Sequence, residues 1–114
     1  MPFLTPYFDS DGDNTAQAMK VSGGEVRRLH VVNLNTADAY FQLFDAATSG
    51  VTVGTTVPVQ SYLVPGGNGT NSGGLDITLE DGIKFETAIT YACTTTAAGG
   101  TDPTTGLVVN ALYR

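Results

Sequence analysis

The chain has 114 residues, 11 acidic against 5 basic, for a net charge of −6, and only 14% of it is charged. Five lysines and arginines cannot neutralise much of a phosphate backbone, which argues against DNA or RNA as a direct partner. The length suits one domain with a modest core, and the low charge suits a surface that lies against copies of itself or a larger assembly.

Pro2, Phe3, Leu4, Pro6, Tyr7 and Phe8 come first, and the chain then turns polar. Two prolines this close disfavour a helix and bias the backbone to an extended form. The expectation is an extended N-terminal arm over residues 1–14, followed by a β-sandwich domain over residues 15–114. An arm of this kind cannot build a core of its own. It either folds back as an edge strand or docks on a neighbouring subunit, in which case Phe3, Leu4, Tyr7 and Phe8 are the partner-binding residues. The start shows neither the basic nor the apolar region of a secretion signal. No run approaches the roughly 20 apolar residues needed to span a bilayer, so a soluble protein made in a cytoplasm is expected, with no membrane partner.

Asp9, Asp11 and Asp13 alternate as in a calcium loop, but the positions that an EF-hand gives to Gly and Glu hold Asn14 and Lys20. A solvated turn is the better reading. Residues 15–21 contain a short strand, and Ser22-Gly23-Gly24 is the turn after it. His30, in the strand that follows, has no second histidine or placed acid beside it in sequence. It reads as a structural residue, since a metal ligand or a catalytic base needs partners.

Residues 29–34 and 39–44 are apolar, β-rich runs with bulky residues on both alternating sets. Asn35 and Asp38 between them are turn residues, because their short side chains bond to nearby backbone. We read residues 29–45 as a hairpin or a strand pair at the centre of the core, covered on both faces by the domain or by a subunit contact.

Small residues and two glycines make residues 46–56 a loop, with a short strand at 51–53. Residues 57–64 alternate as a strand, and Pro58 places its start or marks an edge. The glycine-rich stretch 65–74 lacks the Gly-Lys-Ser/Thr of a phosphate loop and reads as a flexible connection. Leu75, Ile77 and Leu79 alternate with Asp76, Thr78 and Glu80 as a half-buried strand. Asp81-Gly82 reads as a turn, and β structure restarts at Ile83. Residues 88–95 form a further strand containing Cys93, whose lone thiol excludes an internal disulfide and reads as a small buried hydrophobe. Residues 97–106 are a loop, and residues 107–113 are the last strand.

Seven or eight short strands between glycine turns, with no helical period, indicate an all-β fold: a single β-sandwich, jelly-roll-like, with an immunoglobulin-like sandwich as the alternative. The absence of Trp and the single Cys favour the jelly roll. No catalytic residues, metal ligands or cofactor are expected. The carboxylates of Asp76, Glu80, Asp81 and Glu86 could be paired by folding, but nothing in their spacing separates them from surface acids. Tyr40, Tyr62 and Tyr91 lie within strands and read as core before they read as sugar-stacking faces.

Four stretches, HVVNLNTADAYFQLFDAAT, VTVGTTVP, LEDGIKFETAITYACTTT and GLVVNALYR, together resemble a group of small structural proteins of tailed-bacteriophage virions. They cover most of the chain from His30 onward and leave the N-terminal arm out. The resemblance implies a non-enzymatic protein that decorates or cements a capsid, or a module of a tail or fibre, located in the virion. Its partners would be further copies of itself, a trimer being the form that suits capsid symmetry, and virion proteins such as the major capsid protein. A carbohydrate-binding module for host adhesion is the alternative.

Overall fold

Among the described residues eight strands follow one another: β1 (Thr5–Gly12), β2 (Gln17–Lys20), β3 (Gly24–Asn33), β4 (Ala39–Phe44), β5 (Gln60–Val64), β6 (Gly73–Phe85), β7 (Ile89–Thr94) and β8 (Leu107–Tyr113). The computed structural model describes residues 3–114; Met1 and Pro2 of the expected arm lie outside the described residues. Antiparallel pairing joins β1 to β8, β2 to β7, β3 to β6 and β4 to β5. These pairings describe one long ribbon folded back at the β4–β5 connection. Rolling the ribbon brings β3 against β8 and β4 against β7. The result is two four-stranded sheets, β1-β8-β3-β6 and β2-β7-β4-β5. This strand order is that of a jelly roll.

The inner faces of the two sheets close on each other. Leu29, Val31, Leu107 and Val109 come from one sheet and Phe41, Leu43, Val64, Ile89, Tyr91 and Cys93 from the other, all fully buried. Phe41 stacks on Tyr91 with ring centroids 5.3 Å apart. Burial of this many aliphatic and aromatic side chains is the main source of stability.

Residues 29–45 depart from expectation. β3 and β4 are each central in a sheet, but in opposite sheets, so they form neither a hairpin nor a bonded pair. The cause lies at the end of β3. Asn33 is fully buried, and its amide donates to Ala37 O (3.0 Å) and to Val64 O of β5 (3.1 Å), while its oxygen accepts from Asn35 N at 2.9 Å. Asn35 in turn exchanges hydrogen bonds with the backbone of Thr105, and Asp38 accepts from Gly66 N. The turn residues thus tie the crossover to other loops and carry the chain across the sandwich.

Asp81-Gly82 is likewise not a turn between two strands. β6 runs unbroken through it as a bulge, with Val26 opposite Ile83 but Arg28 opposite Thr78. Gly82 takes the positive φ of 73° that the bulge requires. No strand forms at 51–53. The segment holds a 3-10 turn (Thr48–Gly50) and further turns instead.

The residues expected as an arm supply β1. Thr5–Gly12 pairs with β8 as the edge strand of the first sheet, the first of the two places considered for it.

Candidate functional site

The pleat of β1 separates residues that the sequence had grouped. Tyr7 points inward and packs against the core. Its hydroxyl lies 2.6 Å from that of Tyr91, which donates a short hydrogen bond to the Asp9 carboxylate. Burial, with Asp9 and Tyr7 adjoining, pushes the Tyr91 hydroxyl far above the ordinary tyrosine range. This is a structural cluster: a fully buried ring with its one polar tip satisfied.

Phe8, the next residue, points outward and is 66% exposed. Phe3 and Leu4 stand before β1, Phe3 91% exposed and Leu4 also open to solvent. Of the four expected contact residues, therefore, three present apolar surface and Tyr7 does not.

Around Phe8 the strand register assembles a second feature. Phe8, Asn110, His30 and Asp76 lie opposite one another across β1, β8, β3 and β6, and Pro6, Leu112, Arg28 and Thr78 form the adjacent row. Between these rows lies an open groove of about 490 Å³, lined by Pro6, Phe8, Arg28, His30, Asn110 and Leu112. Its floor is apolar, and one wall carries the Arg28–Asp76 ion pair with His30 beside it. Arg28 meets Asp76 through Nε and Nη2 at 3.2–3.3 Å, and His30 Nδ1 is 3.9 Å from the same carboxylate. The hydrogen bond from Arg28 holds the Asp76 carboxyl below its usual range. His30 is thus not a core histidine. It is half exposed, on the solvent face of β3.

The other chemistry-bearing residues do not converge. Cys93 is buried, and burial raises its thiol well above the ordinary range, the opposite of an activated nucleophile. In the calcium-like stretch, Asp9 faces Tyr91 while Asp13 Oδ1 accepts from Thr15 N. Among the described residues no group of three or more His, Cys, Asp or Glu side chains is placed to hold a metal. Asp45, which no sequence motif marks, accepts from the backbone N–H groups of Glu86, Thr87 and Ala88. It clamps the start of the β4–β5 connection to the β6–β7 connection, and those N–H groups depress its pKa.

The groove was missed because residues 29–34 read as a run covered on both faces, which leaves His30 no open face to share with Arg28. The available signal was their spacing of two on one strand face, and Asn110 and Leu112 carry the same spacing on β8. No protein-family model, curated protein or solved structure matches this chain. Among the described residues no helix is long and apolar enough to cross a membrane.

Proposed function

We propose that this chain is a non-enzymatic structural protein of a bacteriophage virion, which decorates or cements the capsid through contacts with its own copies and with neighbouring shell proteins. One observation carries the reading: Phe3 and Leu4 stand in solvent immediately before β1, an edge strand whose outward side has no partner strand among the described residues. Exposed large apolar residues beside an open edge are what a strand-adding or groove-docking contact needs. Pro6 withholds one backbone donor from that edge, which limits unspecific pairing. The jelly roll is an architecture that capsid domains use, although lectin domains use it too and a fold alone assigns no role. The resemblance of residues 30–114 to small phage virion proteins points the same way.

The test is removal of residues 2–4 only. A longer deletion reaching Phe8 would take away half of β1 and the Tyr7 packing, and so would confuse folding with attachment. The shortened chain is expected to fold, to lose self-association by light scattering, and to drop out of particles when virion proteins are quantified by mass spectrometry. Retention in particles at the parent copy number would remove these residues from the contact. A low copy number for the parent chain would move it from the shell to a tail or fibre.

A further inference from the structure

We propose that the groove on the outer face of β1, β8 and β3 binds a carboxylated sugar, a single anionic pyranose residue of the uronic or sialic acid kind. The inference is independent of the contact proposed above, which uses Phe3 and Leu4. Phe8 carries this one, on the opposite side of the β1 pleat from Tyr7.

Three features define the ligand. The Phe8 ring is two-thirds exposed and lies beside Pro6 and Leu112, giving a flat apolar platform. The C–H face of a pyranose stacks on such a platform with little ordering cost to the ring. The rim is made of planar polar side chains, Asn110, His30 and Arg28. These offer donors in fixed directions to equatorial hydroxyls, and with an imidazole nitrogen and an amide oxygen they also offer acceptors.

The third feature is charge. Arg28 engages Asp76 through Nε and Nη2 only, and Nη1 donates to no acceptor among the described residues. Both Arg28 and His30 are about half exposed, and they share that one carboxylate. A ligand carboxylate reaching Nη1 gives the Arg28 guanidinium a second anionic partner. The net charge of −6 decides against the polyanions that would otherwise suit an aromatic ring beside an arginine. A nucleic acid or a multiply phosphorylated ligand is repelled by the rest of the molecule far more strongly than a single carboxylate held against Arg28. The open form of the groove suits a terminal or side-branch sugar of a larger glycan.

The experiment is a titration of the full, isotopically labelled chain with N-acetylneuraminic acid and with glucuronic acid, read by chemical shifts, with glucose and acetate as controls. At least one acidic sugar is expected to shift Phe8, His30 and Asn110 saturably, with both controls weaker by at least about tenfold. Arg28→Gln and Phe8→Ala each lower the affinity by about tenfold or more, while Phe3→Ala leaves it unchanged. All three positions are solvent-facing, and unchanged melting temperatures verify the fold. Added salt weakens binding, as an exposed ion pair requires. The proposal is overturned if neither acidic sugar gives saturable shifts, if glucose or acetate binds as tightly, or if binding survives both groove substitutions.

Discussion

Phe41→Ala is the sharpest test of how the two sheets close. The Phe41 side chain is fully buried on β4, between β5 and β7, and its ring stacks on Tyr91 at 5.3 Å with an interplanar angle of 18°. Truncation forfeits roughly 1.5–3 kcal/mol of burial, and the aromatic pair adds about 0.5–1.5 kcal/mol. A residual cavity brings the loss to about 4 kcal/mol, inside the range of roughly 3–5 kcal/mol for Phe→Ala in cores. Set against a total stability on the order of 5–15 kcal/mol, this removes a large part of it. At about 4 °C per kcal/mol for a domain of this size, the melting temperature should fall by roughly 15 °C. Urea unfolding followed by far-ultraviolet dichroism measures the change directly, with the slope of the transition unchanged. Phe8→Ala, also an aromatic truncation on a strand but with 66% of the residue exposed, should cost no more than about 0.5 kcal/mol. A Phe41→Ala loss below about 2 kcal/mol would refute the reasoning, since it would mean that the sheets do not meet at this ring.

Tyr91→Phe deletes the hydroxyl that donates to Asp9 and faces Tyr7, and should cost about 1.5–3 kcal/mol. A double-mutant cycle with Asp9→Asn should show coupling above about 1 kcal/mol, and zero coupling would mean that the carboxylate relies on water instead. Asp45→Ala frees three backbone donors and should cost on the order of 1–2 kcal/mol at neutral pH. Because folding depresses the Asp45 pKa, its contribution is full above the unfolded value of about 3.9 and is lost as pH falls through the folded value. The difference in melting temperature between parent and Asp45→Ala should therefore shrink on acidification below about pH 4, and a constant gap would count against the clamp. Gly82→Ala forces an L-residue to φ 73° and sets its Cβ 2.5 Å from the Glu25 side chain. A penalty of about 1–2 kcal/mol by urea unfolding is expected, and none would show that the bulge relaxes freely.

Strands were legible where burial is one-sided or complete over several residues: β7, buried at all six positions, and β8, with its alternation, stand where their residues place them. Pairing was not legible, because which strands meet is decided by contacts distant in sequence. Asn33 shows this. Its neighbours look like a hairpin turn, yet the side chain is committed to Val64 O, 31 residues away and in the other sheet. The Asp81-Gly82 pair failed for a different reason: positive φ at glycine serves a turn and a bulge alike, and only the partner strand tells them apart. The groove was hidden by a second irregularity. Val26 and Leu29 are both fully buried although three apart, because the register of β3 slips between Val26 and Arg28. A strict period of two from Val26 would turn Arg28 inward and Leu29 outward. Read from Leu29 instead, it puts Arg28 and His30 on one exposed face, where they stand.

The two outer faces of the sandwich are treated differently, and this bears on where a partner or ligand can sit. On β4 and β7, Gln42, Phe44, Thr90 and Thr94 point away from the shared core yet are fully or almost fully buried. The connecting segments cover them. Gln42 Nε2 donates to Thr94 Oγ1 at 2.6 Å and to Gly99 O at 3.0 Å, and Thr90 Oγ1 donates to Ala46 O at 2.6 Å. Charged residues are absent from β4 and β7, as both-sided burial demands. On the other sheet no loop among the described residues lies over Phe8, Arg28 or His30, and each remains exposed. A chain that closes one sheet with its own loops while leaving an aromatic ring, an arginine and a histidine bare on the other has one face available for recognition without unfolding anything. The exposed Phe3 and Leu4 and the groove at Phe8 both lie at the edge of that sheet. Substitutions on the outer face of β4 should therefore read out as lost stability, and substitutions on the outer face of β1 and β3 as lost binding with the fold intact.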